Sequence, residues 1–364
     1  MESRHDHWLL QLTGLPTAPG CEDRVIDWVL RWARRRPSVT TRRDRYGNLL
    51  LRRLGSRTIG PNGLICFTAH MDHPAFVATK LIGERVVEAD FRGGVDDGFF
   101  IGSRVLFHHE RQRPQRGTIA TLEASATDKR VTIRFGRKPA EPVAGRVLTW
   151  DTGPPRVKKG RLLAPACDNL AGVAAALSAF DALGPRSHVG VLLTRAEEIG
   201  FVGAIGACSS GILPVQARTI VLECSKSFDH SPIGAGPILR VGDRTSTFNP
   251  DLTRHLGRVA GQTAFKHTSF RWQRCLMPGG TCEATAYQAY GRTAACLCLP
   301  LGRYHNMNQH TKTIDAEVID LSDYHNLIWW LVAAGQTLDH ATVQTPLRQH
   351  LDRLFEQRRS LLGR

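Results

Sequence analysis

The chain has 364 residues, of which 42% are apolar, and carries a formal net charge of +15. That length allows one large domain or two ordinary ones, and the apolar content is ample for a packed core, which excludes a disordered chain. The charge lies in arginine clusters without interleaved aromatics or any nucleic-acid-binding signature, and the nine cysteines form no CxxC pair, so a nucleic-acid binder, a thiolate zinc site and a disulfide framework are all disfavoured.

Taken in order, residues 1–7 lack the basic-then-apolar pattern of a signal peptide. No later apolar run is long enough to span a bilayer, so a cytoplasmic enzyme without a membrane partner is expected. Helical spacing covers 8–12 and 22–35, with Pro16, Pro19 and Gly20 marking a loop between them and Pro37 ending the second helix. Strands at 39–45 and 49–54 flank the turn Tyr46-Gly47-Asn48. A short apolar strand at 64–67 then runs into Thr68-Ala69-His70-Met71-Asp72-His73-Pro74. A His at a strand end with an Asp two residues on suits a metal ligand and the carboxylate that orients it; alone, the same residues suit a polar loop.

From 75 to 160 the texture changes to short β-rich pieces at 76–82, 86–91, 104–108, 117–122, 129–135 and 146–150, with no long helical pattern. This predicts a small β module inserted into an α/β domain. His108-His109 within it suit surface or edge-strand positions.

The α/β texture resumes at 161. Asp168-Asn169 precede an alanine-rich helix at 171–183, where Asp168 suits either a helix cap or a metal bridge. A buried strand at 189–193 leads to Glu197-Glu198, and another at 218–222 to Glu223. A helix at 251–260, a loop at 277–282 and a small-residue helix at 283–290 follow. The strand at 293–299, in which Cys296 and Cys298 share a face, leads to His305. A helix at 321–334 carries Trp329-Trp330 as packing residues and has Gly335 as its natural stop. The tail to Arg364 has the pattern of a basic amphipathic helix.

Singly, each of these polar residues favours an uneventful reading. Together, successive buried strands lead into His70, Asp168, Glu197-Glu198, Glu223 and His305. In an open α/β sheet, chemistry sits at the carboxyl ends of the strands. With Glu197 set aside, two imidazoles and three carboxylates make a nitrogen/oxygen set suited to two zinc or cobalt ions about 3.5–4 Å apart. Glu197 is then free to act as a base.

The ordered set Tyr46-Gly47-Asn48, Ala69-His70-Met71-Asp72, Asp168-Asn169-Leu170-Ala171-Gly172, Glu197-Glu198-Ile199-Gly200, Glu223, Gly279-Gly280-Thr281 and Arg303-Tyr304-His305 resembles the dizinc aminopeptidases of the M42 family, the glutamyl and tetrahedral aminopeptidases, over nearly the whole chain to about Ala334. The resemblance implies an α/β fold with a mixed central sheet flanked by helices, as in zinc exopeptidases. Residues 1–74 and 161–337 would form a discontinuous catalytic domain, 75–160 an inserted β domain suited to oligomerisation, and 338–364 a basic tail. It implies that Asp168 bridges two metals, that His70 and Glu223 complete one with Asp72 behind His70, and that Glu198 and His305 complete the other. Glu197 would be the general base. The cofactors implied are two divalent ions per chain, Zn2+ or Co2+. The substrates would be peptides with a free N-terminus, and the assembly a homo-oligomer, either dimer or dodecamer.

The chain departs from that pattern in places. Glu223 stands where Asp is usual, and His73 replaces an acid, with a substrate contact or a turn cap as its expected use. Cys282-Glu283 replaces an Asp-Ala pair. The spacing from Tyr304 to the following His is one residue shorter and the segment to Asp320 is longer, which makes His310 a second candidate for the last ligand, with His305 preferred for lying nearer the strand end. Two other functions compete: a carboxypeptidase or N-acyl amino-acid deacylase of the M20 type, whose insertion would be a ferredoxin-like α+β unit, and an inactive scaffold relative.

Overall fold

The computed structural model describes residues 2–54, 63–109, 113–125, 128–139, 142–185, 188–338 and 346–359. Its first part comprises helices α1 (Glu2–Leu12) and α2 (Asp23–Arg34) and strands β1 (Val39–Arg43), β2 (Leu49–Arg53) and β3 (Ile65–His70). Then come β4 (Ala75–Gly83), β5 (Val86–Arg92), β6 (Arg104–Phe107), β7 (Gln115–Ala124), β8 (Lys129–Phe135) and β9 (Val147–Trp150). The chain continues through β10 (Arg156–Lys158), β11 (Arg161–Ala164), α3 (Cys167–Ala182), β12 (Val189–Thr194), α4 (Val202–Ser210) and β13 (Arg218–Lys226). It goes on with β14 (Ile238–Gly242), α5 (Pro250–Lys266), β15 (Gln273–Leu276), α6 (Glu283–Ala289) and β16 (Thr293–Leu301). Last are β17 (Met307–Asn308), β18 (Thr313–Ile314), β19 (Glu317–Asp320), α7 (Leu321–Thr337) and α8 (Pro346–Arg358).

The continuous apolar runs become central strands because both faces of the sheet are covered. Among the described residues the sheet has eight strands in the order β1-β2-β12-β3-β13-β16-β14-β15. Its middle, β12-β3-β13-β16, is parallel, and antiparallel pairs flank it. One apolar cluster joins one face to α1, α2, α3, α5 and α7. A second, smaller one joins the other face to α4 and α6. This is the expected mixed α/β architecture. No described helix is long and apolar enough to cross a membrane.

Strands β4 to β9 close into a barrel in the order β4-β5-β8-β7-β6-β9, wrapped round a core of its own. Phe76, Phe91, Phe100 and Trp150 meet there largely edge to face, at ring separations of 4.7–6.0 Å. His108, just past β6, is tied to Thr149 Oγ1 at 2.8 Å.

The structure corrects several expectations. Gly335 does not end α7, which runs on to Thr337. A Cβ there would meet Leu183 at 2.7 Å, so Gly335 serves close packing and not a cap. Trp330 is fully buried as expected, whereas Trp329 is 39% exposed. The strand carrying Glu223 continues to Lys226, because its register with β16 persists past the acid. Helix α5 is longer than its apolar spacing suggested, capped by Asn249, which accepts the N–H of Leu252. Strands β14, β15 and β19 carry too little alternation to have been predicted. Of the basic tail, the structure describes α8 and leaves 339–345 and 360–364 outside the described residues.

Candidate metal centre

His70 is the last residue of β3 and pairs in register with Thr194, the last of β12. Its imidazole is buried by the neighbouring strands. Asp72, on the chain just beyond, is fully buried and lies 3.4 Å from His70 Nδ1. The same carboxylate accepts the backbone N–H of Glu197 at 3.0 Å and of Glu198 at 3.1 Å. One acid thus orients the imidazole and fixes the turn that carries both glutamates. Glu22, missed in the sequence because it reads as an ordinary helix start, holds that turn from the other side. It accepts from Ala196 N–H at 3.0 Å and from Arg195 Nε at 2.6 Å. Ala196 adopts a φ of 52°, and Gly203 must be glycine because a Cβ would lie 2.2 Å from the Arg195 carbonyl.

Asp168 is not a helix cap. It lies in a non-helical step at the start of α3, with φ −80° and ψ 109°, and its peptide to Asn169 is cis. Asn169 donates to the Leu222 carbonyl at 2.8 Å and leaves no room for a side chain at position 172, where a Cβ would lie 2.1 Å from Asn169 Oδ1. Glu223 projects from within β13, its Oε1 3.3 Å from His70 Nε2. His305 follows β16 in a left-handed conformation, with φ 52°. Its Nε2 lies 3.3 Å from Glu198 Oε2 and 3.7 Å from Asp168 Oδ2, while Nδ1 faces the Gly94 carbonyl at 2.5 Å. Tyr304 stacks on the His305 ring at 3.7 Å.

The predicted ligand residues therefore converge. His70, Asp168 and Glu198 each place a donor atom within 4.8 Å of the others, and so do His70, Glu197 and Glu223. His310 does not converge: it sits exposed at the turn between β17 and β18, its N–H bound to Asn308 Oδ1. His73 neither caps a turn nor faces the carboxylate groove. It is buried with Nδ1 against the Asp168 carbonyl and Nε2 2.9 Å from Asn306 Oδ1. Glu317, at the start of β19, was missed altogether; an acid ahead of the apolar pair Val318-Ile319 gives no signal in the sequence. Its two oxygens accept the N–H groups of Asp168 and His305, each at 2.9 Å.

The donor chemistry fits divalent metal. Asp168 Oδ1, Glu198 Oε1, Glu223 Oε2 and His305 Nε2 are buried without a hydrogen-bond partner among the described residues. Buried polar groups of this kind are costly unless something pairs with them. The electrostatics agree. Burial alone would raise Asp168, yet the imidazoles of His305 and His70 beside it hold its carboxyl below the usual range. Burial would lower His70 and His305, but Glu223 and Glu198 respectively, with their neighbours, push them well above the usual imidazole value. Glu197 is pushed well up, by burial first and then by Glu198, Glu223 and Asp72. Beyond these carboxylates a groove opens, lined by Ser225, Phe228, Arg240, Met277, Thr281 and Tyr304. Arg240 is buried there, donating to Ser225 Oγ and to the Gly280 carbonyl at 3.1 and 2.9 Å.

The profile of the M42 glutamyl aminopeptidases matches residues 47–328 of the chain. No curated protein matches it. Among solved structures, an aminopeptidase from the archaeon Desulfurococcus kamchatkensis superposes with a TM-score of 0.76 at 21% identity, covering 94% of this chain and 96% of the other. A TET aminopeptidase from a marine-sediment archaeon of the Thaumarchaeota gives 0.76 at 20% identity, covering 94% and 99%. The TET1 peptidase of Pyrococcus horikoshii gives 0.73 at 19%, covering 91% and 99%. At such identities the likeness is one of fold.

Proposed function

The chain belongs to the M42 glutamyl aminopeptidase family and is a metal-dependent aminopeptidase; from that premise we propose that it holds two divalent ions, Zn2+ or Co2+, and releases N-terminal residues from peptides with a free α-amine. The observation that carries this reading is the division of the adjacent glutamates. Glu198 Oε2 lies 3.3 Å from His305 Nε2, while Glu197 Oε2 faces His70 Nε2 from 3.9 Å, and both line the groove.

In this reading His70 and Glu223 would hold one ion and Glu198 and His305 the other, with Asp168 available to both. Bound there, the ions would supply a water of lowered pKa and polarise the scissile carbonyl. Asp72, 3.4 Å from His70 Nδ1, would favour the proton there and leave Nε2 to a metal. Glu197, held well above the usual carboxylate range by burial and then by Glu198 and Glu223, would take a proton from the attacking water and return it to the leaving amine.

The substrate and assembly belong to the same proposal. One solved structure with this fold is described as a dodecamer, and the TET1 peptidase of Pyrococcus horikoshii as assembling into a tetrahedron or a large octahedral shell. A homo-oligomer of this chain, with residues 75–160 as its docking module, accords with them. The M20-type alternative requires a ferredoxin-like insertion, and a closed barrel supports it poorly.

The deciding experiment is a panel of aminoacyl and N-blocked amino-acid substrates with added Zn2+ or Co2+. Hydrolysis is expected only where the α-amine is free, and cleavage of the blocked set would overturn the exopeptidase reading.

A further inference from the structure

The segment between His305 and β19 lies close to the metal centre and takes no part in the roles assigned above. It folds into the hairpin β17–β18, with Met307 opposite Ile314 and Asn308 opposite Thr313. Its base is closed by Asn306, whose carbonyl accepts the N–H of Asp315 at 2.8 Å and whose side chain donates to the Asp315 carbonyl at 3.2 Å. Met307 and Ile314 do not pack on the sheet that the chain has just left. They pack against the core of the barrel.

The hairpin also touches the barrel loop that follows β5. Asp96 N–H donates to Met307 Sδ at 3.4 Å, and Gln309 Nε2 reaches Asp96 Oδ2 at 3.5 Å. That loop bears Gly94, whose carbonyl receives Nδ1–H of His305. On its other side, Lys129 binds the Val95 carbonyl and pairs with Asp97 at 2.6 Å. Gly93 cannot carry a side chain, since its φ is 126° and a Cβ would meet Pro74 at 2.7 Å.

His305 needs such support. Arg303, His305 and Asn306 all have positive φ, at 55°, 52° and 65°. Non-glycine residues persist in this region only when tertiary contacts hold them there. Glu317 fixes the His305 backbone, but the ring is steered by Gly94. A carbonyl on Nδ1 fixes the tautomer that leaves Nε2 free for a metal.

We propose that the β17–β18 hairpin is a brace that positions His305, by gripping the barrel loop whose Gly94 carbonyl orients its ring. The ligand and the hairpin are joined covalently at Asn306, and the loop closes the circle from the other side. Met307 is therefore a positioning residue acting through Gly94. The inference rests on the dimetal reading for its effect on affinity, but the grip on the loop is independent of it.

The test uses the full chain with Met307→Ala combined with Ile314→Ala, and Met307→Leu as the conservative variant. In metal-free protein, hydrogen exchange across 93–97 should speed at least tenfold in the double variant, with the remainder of the barrel unchanged. Chelator competition should show one of two Zn2+ ions held about 10–100-fold more weakly, as for loss of a ligand's hydrogen-bond partner, and the other unaltered. Met307→Leu, which keeps the apolar packing on the barrel core but loses the sulfur acceptor for Asp96 N–H, should fall between wild type and the double variant in both readouts. Unchanged exchange at 93–97, unchanged affinities, or equal weakening of both ions would overturn the brace. Wild-type protein that took up fewer than two ions would overturn the dimetal reading instead, and the exchange data would still decide the brace.

Discussion

Asp168 and His305 are tied to each other through one carboxylate: Glu317 accepts the backbone N–H of the first on one oxygen and of the second on the other, both at 2.9 Å. Two candidate ligand positions far apart in sequence thereby share a buried anchor. Glu317→Gln turns one accepting oxygen into a donor and leaves a buried N–H without a partner, which costs roughly 1–3 kcal/mol. Metal affinity should fall about 10–100-fold. Chelator competition and urea unfolding of the metal-free variant check the two effects separately.

Glu197→Gln should abolish turnover, by about 100-fold or more if Glu197 is the general base, with metal content unchanged at two ions per chain. Glu198→Gln should instead release metal. Atomic-absorption analysis beside steady-state kinetics separates the two outcomes. Residual activity near wild type in Glu197→Gln would remove it from the proton-transfer role.

His305→Ala should weaken one ion sharply, because its Nε2 faces Glu198 and Asp168. His310→Ala should leave retention within experimental error, since that side chain is exposed at the hairpin turn. Equal retention in the two variants, measured by equilibrium dialysis, would undo the choice of His305.

Acid should destabilise the barrel through His108. Burial, helped by the charge of Arg24, pushes this imidazole from 6.5 down to about 3. The folded value lies below the unfolded one, so between those pH values the unfolded chain binds the extra proton. Stability therefore falls as pH drops through the window. From pH 7 to pH 5 the contribution is about 2 kcal/mol. In His108→Gln, the difference in urea-unfolding free energy between these pH values should shrink by about that amount; an unchanged difference would exclude His108 as its source.

Much of the site was legible before any coordinates. Short apolar runs such as 189–193 and 218–222 read as buried strands, and acids or imidazoles at or near their ends stand out against them. His70, Asp168, Glu198, Glu223 and His305 were visible for that reason. Glu317 and Glu22 were not. Their work is done on backbone N–H groups of distant segments, and a backbone donor has no residue identity to betray it. Gly335 was misread because a glycine needed for close approach to Leu183 looks, in sequence, like one that ends a helix.

By itself the sequence determined the α/β layering, the inserted β unit and the set of candidate ligands, since each depends on the local alternation of apolar and polar residues and on which polar residue types interrupt it. Only the tertiary structure set His305 and not His310 beside the carboxylates, gave His73 its place behind Asp168, and put one barrel carbonyl against the ring of His305. Those outcomes depend on how a one-residue change in spacing and a hairpin of a few residues are accommodated by packing. That accommodation is set by contacts between segments remote in the chain, which no local pattern records.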